Sequence, residues 1–322
     1  MSPSLRRFAA AALVAVTGFA AAACTSADDS GPPQNDHPQV VASTDVWGSV
    51  ASAVGGAHAE VTALFNTPGA DPHEFEPSMA DTAKIQDADV LVFNGGHYDA
   101  YVETAAADST ALTVNATAIA LGDDAAADHA GHNHSDHNHS DDHSHDDGAN
   151  EHVFYDLAAV AQVADRVAAA LSQVAPAHAD YYRANADQFT SGIADLRARL
   201  AAIKAAHNGT KVGSTEPLSA FLLTEAGLVD VAPAAFAAAV ENGQSPSAAD
   251  VATFTDLLTN QVIKALIYNT QAVDPATLTV LQIARRSSVP VVELTESLPE
   301  GVTSYLDWQS GQIGQLEQAL NS

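Results

Sequence analysis

Residues 40–65 read VVASTDVWGSVASAVGGAHAEVTALF, and they hold one full cycle of the pattern that decides the fold. Val40–Thr44 is rich in β-branched residues and predicts a strand. Val46–Val54 has the apolar spacing of a helix, and Glu60–Phe65 predicts a second strand. A strand, a helix and a strand in this order form a parallel βαβ unit. The stretch therefore predicts an α/β fold.

The same alternation continues along the chain and divides it into two lobes. The first lobe, residues 40–122, continues with helix Ser78–Gln86 and strands Val90–Phe93 and Ala111–Asn115. In the second lobe, residues 208–322, the predicted elements are strand Lys211–Ser214, helix Pro217–Ala226, helix Ala248–Thr259, strand Ala265–Asn269, helix Pro275–Arg286, strand Val289–Leu294 and helix Ser304–Leu320. We therefore expect an α/β fold with two lobes of parallel sheet flanked by helices.

Residues 151–207 separate the lobes and carry two helical patterns. Leu157–Val174 is the first, and Pro176 then stands where it suits the first turn of the second. The second helix has an apolar stripe with spacings of four and three residues, formed by Phe189, Ile193, Leu196, Leu200 and Ile203. A helix this long between two α/β regions predicts a rigid strut, although an ordinary core helix carries the same stripe.

The composition excludes one class of partner. The chain has 322 residues, 47% of them hydrophobic, which is enough for two domains with cores of their own. It carries 40 acidic and 12 basic residues, a formal net charge of −28. Phosphate binding needs a basic surface, so nucleic acid is excluded as a partner. An acidic protein attracts cations, but like-charge repulsion that keeps the protein soluble explains most of the excess.

The N-terminal residues predict secretion and a lipid anchor. A basic segment, Met1–Arg7, precedes the apolar run Phe8–Ala22, which is too short to span a membrane and is typical of a signal peptide at residues 1–23. Cys24 is the only cysteine, so it has no disulfide partner within the chain. With alanines before it, Cys24 resembles the lipidated cysteine of a bacterial lipobox, and a plain cleaved signal is the alternative.

Residues 24–39 are rich in Ser, Asp, Gly and Pro, and this composition predicts a flexible tether. A lipid at Cys24 followed by such a tether would hold the protein on the outer face of the cell membrane.

Residues 123–150 form a low-complexity segment between the first lobe and the first interlobe helix. Asp, Asn, Ser and Gly fill it, so it has nothing to bury and predicts a disordered loop. Its histidines are His129, His132, His134, His137, His139, His143 and His145. Imidazoles at spacings of two and three, interleaved with carboxylates, predict a secondary binding region for zinc, copper or nickel. A merely solvated loop is the alternative.

Two short motifs outside this segment hold candidate ligands for a single metal ion. Residues 71–77 read DPHEFEP, in which two prolines stiffen a loop that sets His73 among three carboxylates. Residues 150–156 read NEHVFYD and place His152 at the start of a helix. A lone loop histidine is usually just exposed, but two such motifs together favour a metal site.

These motifs resemble those of the zinc/manganese solute-binding lipoproteins of ABC transporters. DPHEFEP is similar to the first ligand motif of that family, and NEHVFYDL, at residues 150–157, is similar to the second. Further family positions are matched by Asn94-Gly95-Gly96, by YYRAN at 181–185 and by SPS at 245–247. The resemblance runs from about Val40 to the C-terminus, with the histidine-rich insertion where zinc-specific members carry theirs. The order and spacing of the motifs together carry it.

The resemblance implies two α/β lobes joined by one long rigid helix, with one metal ion in the cleft between the lobes. His73 and His152 carry over as ligands, one from each side of the insertion. The third family ligand, usually a histidine, falls at Glu216, whose carboxylate also suits zinc. The fourth, an acid after the last strand, falls at Glu296, with Glu293 as the alternative.

Two histidines and two glutamates leave the identity of the metal open. Imidazoles favour zinc, whereas carboxylates also admit manganese or iron(II). The histidine-rich segment favours zinc, so we expect Zn2+ as the transported ligand and Mn2+ as the alternative. His97, in a glycine turn, would add a third imidazole, but an exposed turn histidine is the more common interpretation.

The function that follows is a monomeric, extracytoplasmic zinc-binding lipoprotein that delivers Zn2+ to the permease of an ABC transporter and is not an enzyme. The main rival is a secreted zinc hydrolase, since two His and one Glu around an open position also form a catalytic zinc geometry. The sequence has no His-Glu-x-x-His pair and no Gly-x-Ser-x-Gly motif, which argues against hydrolysis. A surface metal buffer or adhesin is the second rival.

Overall fold

The computed structural model describes residues 37–122 and 150–322. The predicted signal peptide, Cys24 with most of the tether, and the seven histidines between residues 123 and 149 lie outside the described residues. Within the described ranges, no helix is both long enough and apolar enough to cross a membrane.

The first lobe is built on a parallel sheet of four strands. The strands are β1 (Gln39–Thr44), β2 (Glu60–Phe65), β3 (Val90–Phe93) and β4 (Leu112–Asn115). They lie in the order β2-β1-β3-β4, and every neighbouring pair is parallel. The helices of this lobe are α1 (Asp45–Gly55), α2 (Met79–Asp87), α3 (Tyr101–Ala105) and α4 (Ala116–Ala120). The central strands β1 and β3 are almost wholly buried, as expected for a sheet covered on both faces, while the edge strands β2 and β4 are partly exposed.

Two long helices, α5 (Leu157–Val174) and α6 (Ala179–His207), lead into the second lobe. Its elements are β5 (Lys211–Ser214), α7 (Ala220–Glu225), β6 (Val229–Asp230), α8 (Ala234–Glu241), α9 (Ala248–Thr259), β7 (Leu266–Asn269), α10 (Pro275–Arg286), β8 (Val291–Leu294) and α11 (Tyr305–Asn321). The second sheet has the order β6-β5-β7-β8, which repeats the order of the first. The predicted fold of two parallel α/β lobes joined by a long helix is confirmed.

The helices begin where the sequence places side chains that can cap them. Thr44 caps α1, Ser78 caps α2, Asp156 caps α5, Ser247 caps α9 and Asp274 caps α10. Each side-chain oxygen accepts a hydrogen bond from a backbone N–H of the first turn, which would otherwise have no partner within the helix. For these five helices the predicted and observed starts therefore agree to within one residue, whereas α7 begins three residues after the predicted Pro217.

Four short elements were not predicted: α3, α4, β6 and α8. The last of them reads AAFAAAVE, in which only Phe236 and Val240 are buried. So few apolar contacts in an alanine-rich stretch leave no clear periodicity to detect. The omission matters because α8 ends at Glu241.

The long helix α6 joins the two lobes through one continuous apolar core. It packs against α1 and α5 on the side of the first lobe, and against α7 and α11 on the side of the second. The core runs from Trp47 of α1 through Phe154 to Trp308 of α11. Ser49 of α1 adds polar contacts, since its hydroxyl donates to the carbonyl of Thr303 and accepts from the backbone N–H of Tyr305. Such an interface holds the lobes in one relative orientation.

The parallel topology brings chemically active side chains to one place. His73 follows β2, Glu216 follows β5 and Glu296 follows β8, while Asn269 is the last residue of β7. The carboxyl ends of parallel strands meet at one edge of a sheet, where ligands bind in α/β proteins. In this chain the carboxyl ends of the two sheets face each other across the cleft between the lobes.

Candidate metal centre

His73 lies in a short 3-10 turn, Pro72–Glu74, in the loop after β2. Asp71 caps the turn, because its Oδ1 accepts a hydrogen bond of 2.8 Å from the backbone N–H of His73. Phe75 anchors the other end of the loop by packing edge-on against Phe65. The His73 side chain is 25% exposed, and its ring lies edge-on to Tyr98 with the two ring centres 4.7 Å apart. The loop thus presents one imidazole to the cleft.

His152 is fully buried and directly precedes a 3-10 turn, Val153–Tyr155. Oδ1 of Asn150 lies 2.9 Å from both the backbone N and Nδ1 of His152. An amide oxygen is only an acceptor, so Nδ1 carries the proton and the lone pair of Nε2 is left to bind a metal. Nε2 is buried and has no hydrogen-bond partner among the described residues.

A glycine turn after β3 holds the backbone beside His152. The Asn94 side chain donates a hydrogen bond of 2.7 Å to the carbonyl oxygen of Glu151. Asp99 in turn accepts hydrogen bonds of 2.6 and 2.7 Å from the backbone N–H groups of Asn94 and Gly95. Gly95 has φ of 82°, and a Cβ at this position would lie 2.1 Å from the Asn115 side chain. Only glycine fits this turn.

Glu296 is the point on which both imidazoles converge. Its Oε2 lies 3.2 Å from Nε2 of His73 and 3.4 Å from Nε2 of His152. The Tyr98 hydroxyl donates to the same oxygen at 3.2 Å, and the Asn269 side chain donates to Oε1 at 2.7 Å. Glu296 is 1% exposed. A buried carboxylate with this many donors is ready to receive a cation.

Gln271 ties the two lobes together at this point. Its Nε2 donates to the carbonyl oxygen of Ala70, in the loop that carries His73, and to Oγ of Ser297. Its Oε1 accepts a hydrogen bond of 2.5 Å from the backbone N–H of Glu296. One side chain therefore aligns the loop of the first lobe with the carboxylate of the second.

Glu216 lies beside this group without contacting the histidines. It is 3% exposed and accepts a hydrogen bond of 2.5 Å from the same Asn269 side chain that binds Glu296. Of the alternatives, Glu293 is half exposed on β8 and pairs with Arg285 at 3.4 Å. His97 is exposed, and its contact with the site is a backbone hydrogen bond to Glu151. Neither Glu293 nor His97 lies among the side chains that could share one ion.

Two carboxylates that the sequence did not single out as ligands do lie among them. His73, His152 and Glu241 place ligand atoms within 4.8 Å of one another, and so do Asp71, His73 and Glu296. Glu241 Oε1 is 3.7 Å from Nε2 of His152. A sequence signal for Glu241 existed, since it is the only ionisable residue between Asp230 and Asp250. A single charged side chain in such an apolar stretch indicates a functional role for Glu241.

The electrostatics of the centre are dominated by charge pairs across the cleft. Burial disfavours the imidazolium of His73, but the hydrogen bond and negative charge of Glu296 outweigh burial and raise the pKa of His73 to about 9. Burial also works against ionised Glu296, yet His152 and His73 hold the pKa of this carboxyl well below its usual range. A positive charge at this point is thus stabilised by Glu296.

The remaining carboxylates are crowded by one another. Burial, followed by the charge of Glu296, raises the pKa of Glu216 to about 9. Burial is also the main reason that the pKa values of Glu241 and Asp71 are raised. Carboxyl groups this close together repel when ionised, and a divalent cation between them would relieve that repulsion.

The spacing of the donor atoms fits a metal ion. Ligands on a tetrahedral zinc at bonds of about 2.0–2.1 Å lie about 3.4 Å apart. The nitrogen–oxygen distances from Glu296 to His73 and His152, and from His152 to Glu241, are 3.2, 3.4 and 3.7 Å. Each of these distances is therefore close to the separation of two ligands on one ion.

The chain is similar to proteins that are described as taking up or binding metal ions. The family model described as zinc-uptake complex component A, periplasmic, matches residues 40–319. The manganese-binding lipoprotein MntA of Bacillus subtilis is 27% identical over 188 residues, which are 55% of this chain and 53% of that protein. The chain thus spans about half the length of this curated relative.

Solved structures share the fold at low sequence identity. The solute-binding protein FpvC of Pseudomonas aeruginosa in complex with Mn2+ is 22% identical, with a TM-score of 0.64 over 88% of this chain and 98% of that one. A mutant of the laminin-binding adhesin of Streptococcus agalactiae is 20% identical, with a TM-score of 0.67 over 88% and 99%. The family model covers most of the chain, and the chain therefore belongs to the zinc-uptake complex component A periplasmic family, a family of solute-binding proteins and not of enzymes.

Proposed function

We propose that this protein captures a divalent metal ion outside the cytoplasm and delivers it to the permease of an ABC importer. The observation that carries the proposal is the convergence of two imidazole Nε2 atoms on one buried carboxylate oxygen, that of Glu296. The proposed ligands are His73, His152 and Glu296, with Glu216 beside them as the fourth. They come from both lobes, so a bound ion would link the two lobes across the cleft.

The cargo we propose is Zn2+. Two imidazoles favour zinc over harder ions, and the seven histidines between residues 123 and 149 would supply additional zinc sites. Mn2+ is the second candidate for two reasons. The centre holds several carboxylates, which suit manganese, and the relative MntA is described as manganese-binding.

The test of cargo is metal analysis of protein that lacks residues 123–149, with Zn2+, Mn2+ and Fe2+ offered together. We expect one tightly bound equivalent of zinc, and fewer total equivalents than the full chain binds. One tightly bound equivalent of manganese would instead identify Mn2+ as the cargo. Loss of all tight binding would move the main site into the deleted residues and contradict the proposal.

We also propose that Cys24 carries the lipid that keeps the protein at the outer face of the membrane. Of the two outcomes for the signal peptide, lipidation leaves the mature chain in the detergent phase, whereas simple cleavage releases it. Cys24→Ala should shift the protein from the membrane fraction to the medium. Equal membrane association of the variant and the wild type would exclude the anchor.

A further inference from the structure

Glu241 stands outside the ligand set expected for this site, yet it faces the site from the mouth of the cleft. It is the last residue of α8, and its side chain is 19% exposed, compared with 25% for His73, 1% for Glu296 and 0% for His152. Its neighbours Val240 and Gly243 line a cleft of about 680 Å³ together with Asp71 and Gln271. The residue is thus placed between solvent and the buried ligands.

The position of Glu241 in its helix is unfavourable for the helix itself. A negative charge at the C-terminal end of a helix faces the negative end of the helix dipole, which is unfavourable. The ion pair found for Glu241 among the described residues is the contact with His152. Helix stability therefore does not explain this glutamate, and its chemistry has to be sought in the cleft.

Nε2 of His152 provides the second observation. It is buried and without a hydrogen-bond partner among the described residues, and it points between Glu296 and Glu241, whose oxygens lie 3.4 and 3.7 Å away. Because Nδ1 donates its proton to the Asn150 side-chain oxygen, Nε2 presents a lone pair to the two carboxylates. Lone pairs that face each other in this way repel, and a cation bound between them, a metal ion or a proton, removes the repulsion.

From this geometry we propose that Glu241 is a metal ligand that binds the ion from the solvent side and controls its release. The inference rests on the proposed function and adds to it one ligand, on an element that the other ligands do not use. Glu296 and Glu216 lie behind the ion, where Asn269 holds both carboxylates. Glu241, like the partly exposed His73, lies on the solvent side of the group.

The test uses the full chain in which every histidine of residues 129–145 is replaced by asparagine, so that binding at the cleft is measured by itself. Zn2+ alone is titrated against a chromophoric chelator, and its dissociation is followed by stopped flow. Glu241→Gln keeps the shape of the side chain and removes the charge. We expect at least a roughly 10-fold weaker affinity, mostly as faster dissociation, because even groups that only support a ligand are worth about 10- to 100-fold.

Glu74→Gln is the matched control. Glu74 is exposed, lines the same cleft and carries the same charge, and it is not among the side chains that could share an ion. If Glu241 acted only through the acidic field of the cleft, both variants would weaken binding equally, and the proposal would be overturned. Binding by Glu241→Gln equal to that of the parent would also overturn it.

Two further measurements separate ligation from folding. The visible absorption of bound Co2+ reports the number and type of its ligands, and it should change in Glu241→Gln and not in Glu74→Gln. The metal-free melting temperature should stay the same or rise in Glu241→Gln, since the charge opposes the helix dipole. If the parent protein binds neither Zn2+ nor Mn2+, the proposed function fails. If the parent binds one equivalent and only the Glu241 prediction fails, the proposed function stands.

Discussion

The two lobes share a fold but contribute opposite chemistry to the centre. Both sheets have the same strand order. The first lobe and the segment that follows it supply both imidazoles, His73 and His152, and one carboxylate, Asp71, while the second lobe supplies carboxylates alone, Glu216, Glu241 and Glu296. The second lobe by itself would hold a group of carboxylates that repel one another. The metal centre therefore exists only where the imidazoles on one side of the cleft, its nitrogen side, meet the carboxylates of the second lobe, its oxygen side.

The nitrogen side depends most on His152, and removing it should have the largest effect. In His152→Ala the buried Nε2 is lost, and nothing nearby can replace it, so we expect zinc affinity to fall by about 100-fold or more. The zinc-dependent rise in melting temperature should fall with it, because an ion that binds only the folded state stabilises that state in proportion to its affinity.

The measurement is zinc titration together with thermal melting, in the presence and absence of zinc. His97→Ala is the control, since that ring is exposed and lies outside the group that could share an ion. Should His97→Ala be the damaging change and His152→Ala bind normally, the nitrogen side has been misassigned.

On the oxygen side, two matched substitutions separate the contributions of Glu296 and Glu216 to zinc affinity. Glu296 contacts both imidazoles, whereas Glu216 reaches them only through Asn269. We therefore expect Glu296→Gln to lower zinc affinity by about 10- to 100-fold and Glu216→Gln to lower it less. Calorimetric titration of both variants gives the comparison. A larger loss in Glu216→Gln would mean that this carboxylate turns from Asn269 to the metal when the ion binds.

The smallest expected effect on metal binding concerns the support of His152, which appears instead as a pH dependence of stability. Burial raises the pKa of Asp99 from 3.8 to about 6, although it accepts hydrogen bonds from the turn that holds Glu151. At pH values between the two pKa values, the Asp99 carboxyl thus keeps a proton in the folded protein that it releases in the unfolded chain. This group's contribution to stability is complete below about pH 4 and is lost as pH rises to about 6, at a cost of roughly 3 kcal/mol.

Asp99→Asn should therefore flatten the fall in the free energy of unfolding between about pH 4 and pH 6. Part of the slope should remain, because burial also raises the pKa of Asp45 to about 6. Urea unfolding at several pH values measures the slope. Asp108→Asn, at an exposed position, is the control and should keep the slope of the wild type. An unchanged slope in Asp99→Asn would contradict the assignment.

Local patterns were sufficient for the architecture and for half of the centre. Apolar periodicity and capping residues predicted both lobes and the long helix, because each of these signals lies within a few residues of the element it forms. His73 and His152 were predictable for a similar reason, since each stands in a short motif with its own loop or turn. The alanine-rich α8 had no such signal, and Glu241 at its end was missed with it.

The sequence by itself determined the fold class, the acidic character and the two imidazoles. Only the tertiary structure decided which carboxylates meet them. Glu216, Glu241 and Glu296 belong to the same lobe and are far apart along the chain, so their distances to His152 depend on how two sheets pack about α6. That packing brings Glu296 and Glu241 within 4 Å of one nitrogen and leaves Glu216 bound to Asn269. Contacts between residues distant in the chain arise from the folded core, and no local pattern encodes them.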